Sequence, residues 1–371
     1  MTTVNPDFMD DLRKLGAFDV SACYSCGVCT AICPLSKEGH EFPRRLIRYS
    51  ILGLEEKIRA SPDPWMCYYC GECTDSCPRQ ADPAGFMMAL RRYLTTKYDF
   101  SGISRTLYAS KWAEWVGIAL LSFIALLSVY LLHGPIITHT VQLATFAPVE
   151  IVETADIIVL AVLGTMLMIN VYRMYLFTVK PVPGKITLKT YLGELVRTLP
   201  VYFFTQSRFL SCKSGKKDHL YHLTRFIGYA MIFVLGVFLM ALWQTDRFYP
   251  VTSPIMIVQY VAAALLLLGI SPALYGRIRK TKNMYRYSHS TDWMFLLLLL
   301  AAGITGVMIV VFRYAYMAWA TYVIYTIHLM VVTSLLVLEV PFAKWSHMAY
   351  RTFAPYFSRL IDIKMSGAGR Q

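Results

Sequence analysis

The pattern C-x2-C-x2-C-x3-C-P is written twice between Cys23 and Pro78, and this doubling constrains the chain more than any other feature. The first copy is Cys23, Cys26, Cys29 and Cys33 with Pro34, and the second is Cys67, Cys70, Cys73 and Cys77 with Pro78. Three thiolates at three-residue steps can wrap one face of an iron–sulfur cube, while the fourth, followed by proline, turns toward a second cube. Crossed ligation of two [4Fe–4S] clusters is therefore expected. Cys23, Cys26, Cys29 and Cys77 would hold one, and Cys67, Cys70, Cys73 and Cys33 the other. Structural zinc prefers pairs of C-x2-C knuckles and leaves the third cysteine of each triplet unexplained. Disulfides need an oxidising compartment. Residues 1–12 are acidic and lack the apolar core of a secretory signal, so the cysteines are expected to stay reduced in the cytoplasm. The ninth cysteine, Cys212, lies alone in a basic loop and reads as an incidental thiol.

Hydrophobic residues make up 56% of the chain and the mean hydropathy is +0.46, too apolar for a soluble protein of 371 residues. Six segments, at 112–133, 154–177, 222–243, 254–275, 292–312 and 319–340, each approach the ~20 residues that a helix needs to cross the hydrocarbon core. The stretch 186–210 is amphipathic and broken by Pro200, and is expected to lie along the cytoplasmic surface. Between the cysteine motifs, Pro43 to Arg59 carries Leu46, Ile47, Ile51, Leu54 and Ile58 near helical spacing. A helix from about Pro83 to Thr96 offers Phe86, Met87, Leu90, Tyr93 and Leu94 for packing, with Arg91 and Arg92 expected on a solvated face. The fold class is thus all-α. A helical two-cluster ferredoxin domain over 1–105 precedes a six-helix transmembrane bundle over 106–350 and a cytoplasmic tail over 351–371.

A net charge of +13 invites a nucleic-acid reading, but its distribution excludes one. Residues 1–111 hold 14 Lys and Arg against 13 Asp and Glu, so the excess lies in the membrane half. There the links 173–225, 277–286 and 344–371 carry ten, five and five basic residues, while the opposite links carry only Arg247 and Arg313. Basic residues mark the inner side, which puts both termini and the cysteine domain in the cytoplasm. No G-x-G-x-x-G, Walker loop or nucleophile triad pattern is present.

Depth sorts the eight histidines. His328 lies inside the sixth helix and His347 beyond its inner end, ~28 Å apart if that helix continues, so one helix would offer a histidine to each side of the membrane. His222 sits at the inner edge of the third helix, level with His347. Intramembrane imidazoles are costly without a role, and paired axial ligation of haem iron fits this placement. His222 with His347 would hold an inner haem b, with Pro341 bending the chain to aim His347, and His133 is a candidate partner of His328 for a second. His139, His219 and His289 read as solvated loop-edge residues, and His40 belongs to the head. Glu339, Glu153 and Asp156 are candidates for taking protons from a quinol, and no catalytic residue is assigned.

With F-P-R-R-L-I-R between the motifs and W-M-C-Y-Y-C-G-E-C entering the second, the cysteine domain resembles the C subunit of heterodisulfide reductase. The membrane part, with His328 followed by P-F-A-K-W-S-H, resembles the gamma subunit of respiratory nitrate reductase and the E subunit of heterodisulfide reductase. Their fusion behind an extra first helix is similar to the C subunit of quinone-interacting membrane-bound oxidoreductase complexes. That resemblance implies haem b, exchange of electrons with menaquinone, and cytoplasmic partners carrying flavin and clusters that serve adenylylsulfate reductase. The nitrate reductase pattern puts a second histidine ten residues after the one matching His222, where this chain has Ile232. The chain is accordingly expected to be a membrane electron-transfer subunit, an oxidoreductase component passing electrons from quinol through haem b and two clusters to flavoproteins. Rival readings are the membrane module of a thiol–disulfide reductase and, from another class, a redox-regulated transporter or sensor; paired broken helices and repeated halves, the marks of a transporter, are not seen.

Overall fold

The computed structural model describes residues 3–17, 20–36, 40–213, 215–286 and 288–368. Among them the regular structure is helical, with no strand. Six helices are long and apolar enough to cross a membrane: Lys111–Leu132, Val149–Thr178, Gly215–Phe238, Pro254–Arg279, Ser290–Tyr314 and Ala318–Phe342. They are called the first to sixth spans below, and the chain is a multi-pass membrane protein with a ferredoxin-like head.

In the head, the two cysteine motifs fold alike because the same backbone demands recur. Ser25 and Tyr69 have φ of 59° and 57°, and Gly27 and Gly71 have φ of 92° and 90°. Each glycine opens a one-turn helix, Val28–Ala31 or Glu72–Asp75. A residue with a Cβ is strained at such an angle, so glycine stands where the chain must reverse within the triplet. The amides of Ser25 and Tyr69 donate to the sulfurs of Cys23 and Cys67, both at 3.3 Å.

The helical run expected over 43–59 is two helices, Arg44–Ile51 and Glu55–Arg59. The break comes at Gly53, where φ is +67° and a Cβ would meet the Asn5 carbonyl oxygen at 2.4 Å. Pro83–Tyr98 forms the axis of the head. Asp82 caps it by accepting the Gly85 amide at 3.0 Å, and Pro83 takes the first position, where no amide is required. This helix is buried nearly all round, including Arg91 and Arg92, which corrects the solvated face expected for them. Buried guanidinium groups need acceptors, and both find them. Arg91 Nε donates to the Pro64 carbonyl at 2.7 Å and its Nη2 to the Cys67 carbonyl. Arg92 donates to the Leu15 carbonyl and pairs with Asp292 of the fifth span, each at 2.7 Å.

In the bundle, only 6% of the apolar window of each of the first three spans is buried, against 28% for each of the last three. The later spans therefore form its centre. Gly228 and Gly269 let the third and fourth spans approach so closely that a Cβ on either would meet the other backbone at 2.4–2.5 Å. Outward, Phe123, Leu131, Ile158, Val162, Leu268 and Val311 are each more than half exposed, a surface suited to lipid. The third span begins at Gly215, a full turn and more before the expected 222, so His222 lies within it rather than at its edge.

The sixth span also departs from expectation. It passes through a π-helical turn, Leu335–Glu339, and ends at Phe342. Ala343, at φ −125° and ψ −138°, then breaks the chain, and His347 opens a separate helix, His347–Ala368. His328 and His347 thus stand on different helices, a correction to the single helix read from their spacing. Pro341 lacks the amide that would bond back into the preceding turn, which is where the π-helical turn lies. The helix His347–Ala368 sends Tyr350, Ala354 and Leu360 into the core of the head, each 0% exposed beside Trp65 and Leu94. The last three residues of the expected tail, 369–371, lie outside the described residues.

All three basic connections touch the head. Lys213 donates its amide to Glu72, Asn283 bonds Asp75 at 2.9 Å, and Lys344 pairs with Asp292 beside Arg92. At the far end, Asp246 accepts from Thr145 and Tyr322 donates to the Ile137 carbonyl, closing the opposite loops into a cap. The amphipathic segment folds as Leu188–Leu199 followed by the π turn Pro200–Phe204. Its Glu194 faces Arg359 of the last helix, while Leu188, Leu192 and Val196 form an exposed apolar stripe.

Candidate functional site

Cys77 lines the same cavity as Cys23, Cys26 and Cys29, although it is the last cysteine of the other motif. Cys33 in turn lies close enough to Cys67 and Cys70 for their charges to act on it. The fold brings the eight motif cysteines into two groups of four. Burial pushes the thiols of Cys29 and Cys33 up to about 11, and the neighbouring cysteines add to the shift. Thiols crowded in this way ionise only beside a compensating positive charge, which bound iron supplies. The donor set therefore fits two clusters. The two groups differ in setting. Cys26 is exposed, and Tyr24, 71% exposed, lies under the Arg79 guanidinium at 4.2 Å. Cys67 and Tyr68 are buried.

Tyr68 points toward the membrane half. Its ring stacks on Phe209 at 5.1 Å, and the guanidinium of Arg351, one turn into the last helix, lies over it at 4.1 Å. Phe209 meets the His222 ring edge-on at 6.3 Å. His347 lies within electrostatic reach of His222, and Trp345 packs on Tyr229, two turns along the same face of the third span, at 6.1 Å. The Nδ1 of His347 bonds the Lys344 carbonyl, so the proton sits there and Nε2 keeps its lone pair. That is how a metal-binding imidazole is oriented. Burial and the Lys344 charge hold His347 well below the usual histidine range, which keeps it neutral. The Nδ1 of His222 is buried without a hydrogen-bond partner among the described residues. A buried orphan nitrogen near a second neutral imidazole fits paired axial ligation.

The other histidines divide. His328 bonds Thr305 of the fifth span at 2.8 Å. His133 is exposed, bonds the Gly134 carbonyl at 2.7 Å and stacks on Phe146 at 5.8 Å. Among the described residues no contact joins His133 to His328. His139 is exposed, and His219 bonds the Thr205 carbonyl. His289 is not the solvated residue expected. It caps the fifth span through Thr291, and burial pushes its pKa down to about 4. Glu339 is 2% exposed and accepts the Lys344 amide at 2.8 Å, while Glu153 and Asp156 are half-buried on the second span.

Cys212 also departs from its reading as an incidental thiol. It is buried, and its sulfur, the Cys70 sulfur and a Glu72 carboxylate oxygen all lie within 4.8 Å of one another. Tyr68, Phe209, Cys212 and Arg351 were missed by sequence reasoning, since each acts through a partner more than a hundred residues away. No local signal marked them: Tyr68 follows the first cysteine of its motif as Tyr24 does in the other copy, and Tyr24 is exposed.

Residues 19–81 match the model of a 4Fe-4S dicluster domain. Over 102 residues, 26% of its length, the chain is 37% identical to a protein of Archaeoglobus profundus described as like the C subunit of heterodisulfide reductase, covering 54% of that relative. Over 71 residues, 17% of its length, it is 34% identical to the iron–sulfur C subunit of the CoB–CoM heterodisulfide reductase of Methanopyrus kandleri, covering 37% of it. The chain thus spans about half, or less, of the curated relatives it matches. No solved structure matches it. The head is an iron–sulfur electron-transfer module related to the C subunit of heterodisulfide reductase, here joined to six membrane helices.

Proposed function

We propose that the chain is the membrane electron-transfer subunit of a quinol-oxidising complex. The observation that carries this reading is the unbroken run of contacts from Cys67 and Tyr68 through Phe209 to His222, with His347 beside it. Haem b, when held by His222 and His347, supplies one-electron chemistry at the head end of the bundle. The protein's own part is position. Phe209 and Tyr68 fill the gap between imidazole and cysteines and exclude water from it, and Arg91 and Arg351 keep positive charge beside Cys67 and Tyr68. The motif around Cys67 would then be the entry to the head, and the exposed motif around Cys26 the exit to a flavin- and cluster-carrying partner.

Basic connections on the head side support a cytoplasmic head in an inner membrane, with both termini inside. Menaquinol is the expected donor and Glu339 the candidate proton acceptor. His328, with His133 or another ligand, could hold a second haem. A complex of this kind would serve adenylylsulfate reductase through its soluble subunits. The likeness to heterodisulfide reductase C subunits favours a second reading, in which the same wiring feeds a disulfide-reducing partner.

The test is a dithionite-reduced minus oxidised optical spectrum of the purified protein, with haem and non-haem iron counted per chain. A b-type spectrum together with ~8 non-haem irons supports the reading. Absence of haem would reduce the membrane half to an anchor and sink it. Co-purified flavoproteins favour the first partner, and a cysteine-rich disulfide-reducing protein the second.

A further inference from the structure

We infer that the thiol of Cys212 donates a hydrogen bond to the sulfur of Cys70 and so sets the reduction potential of the cluster at the second motif. This rests on the reading that the eight motif cysteines hold two clusters. The geometry is built rather than accidental. Cys212 is 4% exposed and its sulfur shares a 4.8 Å neighbourhood with Cys70 and Glu72. Its loop is held on both sides: the Cys212 amide donates to the Phe209 carbonyl at 3.1 Å, and the Gly215 amide to the Cys212 carbonyl at 2.8 Å. The next residue, Lys213, donates its amide to Glu72, and three residues earlier Phe209 stacks on Tyr68. Two contacts thus clamp the loop to the second motif on either side of the thiol.

The chemistry follows from what each sulfur carries. Cys70, bound to iron as a thiolate, is an acceptor with lone pairs to spare, and Cys212, outside the eight, keeps its proton. A hydrogen bond to a cluster sulfur withdraws negative charge and favours the reduced, more negative cluster, raising its potential. The first motif offers a contrast. Cys26, the residue equivalent to Cys70, is exposed, and arginines 44 and 79 line its cavity. The thiol therefore separates the potentials of two clusters whose ligand patterns are identical. It would make the cluster nearer the bundle the better electron acceptor from a haem held by His222 and His347.

The experiment is a potentiometric titration of both clusters by electron paramagnetic resonance in the full-length protein. Cys26→Ser serves to identify the first-motif signal. Cys212→Ala should lower the midpoint potential of the second-motif cluster alone, at unchanged iron content, and Cys212→Ser, which keeps a donor, should lie nearer to wild type. Because a void at a buried position can block assembly, Cys212→Val fills the volume without a donor and should shift the same signal. Unchanged potentials in both donor-free variants would overturn the proposal. So would an equal shift of both clusters, or loss of the second cluster in Cys212→Val as well as in Cys212→Ala, which would make Cys212 a ligand rather than a donor. A wild-type protein that holds no iron fails the cluster reading instead, and iron analysis separates the two failures.

Discussion

The two cysteine motifs are the same local structure in two different places. Their φ values agree within a few degrees at Ser25 and Tyr69 and at Gly27 and Gly71, and the fourth cysteine of each copy lies beside the triplet of the other. What differs is the surroundings of the tyrosine that follows the first cysteine in both copies. Tyr24 stands in solvent under Arg79, whereas Tyr68 is buried against Phe209 and Arg351. A repeat fixes local geometry, and the partners that a matching side chain meets decide which copy packs on the bundle. Which copy meets the bundle is therefore a property of packing outside the motif.

The strongest way to break the comparison is to release the second motif from the bundle. Asp292 is 4% exposed and pairs with both Arg92 of the head and Lys344 of the junction. Asp292→Ala would leave two buried cations without their carboxylate, Arg92 keeping only the Leu15 carbonyl, and should cost ~3–5 kcal/mol. Thermal unfolding of the full chain in detergent should register this, and limited proteolysis should cut the junction first. A wild-type melting curve for the variant would mean that the head is held by other contacts.

Phe209→Ala acts on the same contrast more locally. Removing a buried ring costs about 3 kcal/mol when the loop cannot collapse on the void. It should also slow reduction of the second-motif cluster by quinol while leaving chemical reduction by dithionite intact. Equal rates with quinol in wild type and variant would show that electrons enter the head elsewhere.

Much of this layout is legible in the chain itself, for identifiable reasons. Covalent spacing alone places three sulfurs around a cube, so the motifs needed no tertiary information. Long apolar runs likewise declare the six spans, because lipid leaves the backbone no alternative to a helix. The misreadings lie where distant partners override local pattern. Arg91 and Arg92 look like a solvated face until Pro64, Leu15 and Asp292 supply acceptors. His328 and His347 look like one helix until Ala343 breaks it. Cys212 looks idle because Cys70 is more than a hundred residues away. Periodicity reports which face is buried but not what it is buried against.

Glycine substitutions sharpen the comparison between the copies. Gly27→Ala and Gly71→Ala place a side chain at nearly the same positive φ, so each should cost ~1–2 kcal/mol in backbone strain. At Gly27 the new methyl has room, with the nearest atom, on Arg44, at 3.5 Å. Strain alone should therefore appear in the first copy. A variant of Gly71 that loses markedly more stability than that of Gly27, measured as the difference in melting temperature, would locate the extra demand in the junction around the second motif. Equal losses would mean that the junction tolerates a methyl.

The smallest effect belongs to the segment that separates the copies. His40 Nδ1 bonds Asp63 at 2.7 Å, its Nε2 bonds Ser358 of the last helix at 3.0 Å, and Arg45 joins the same carboxylate at 2.7 Å. The hydrogen bond that His40 donates to Asp63 raises the His40 pKa above its usual value, against an opposing effect of burial, and Asp362 adds to the rise. Asp63 is lowered: its burial acts the other way, and His40 and Arg45 outweigh it. A raised histidine contributes stability that is complete below its unfolded value of ~6.5 and is lost as pH climbs through the folded pKa. A lowered carboxylate contributes above ~3.9 and loses its share as pH falls through the folded pKa. The ion pair should therefore stabilise the docking of the last helix most between about pH 4 and 6.5, by roughly 1 kcal/mol given its partial exposure. His40→Gln should remove the decline above pH 6.5 from the melting-temperature profile while leaving the second-motif cluster signal unchanged. A profile that keeps this decline would assign it to another group and leave His40 as a neutral hydrogen-bonding link between head and last helix.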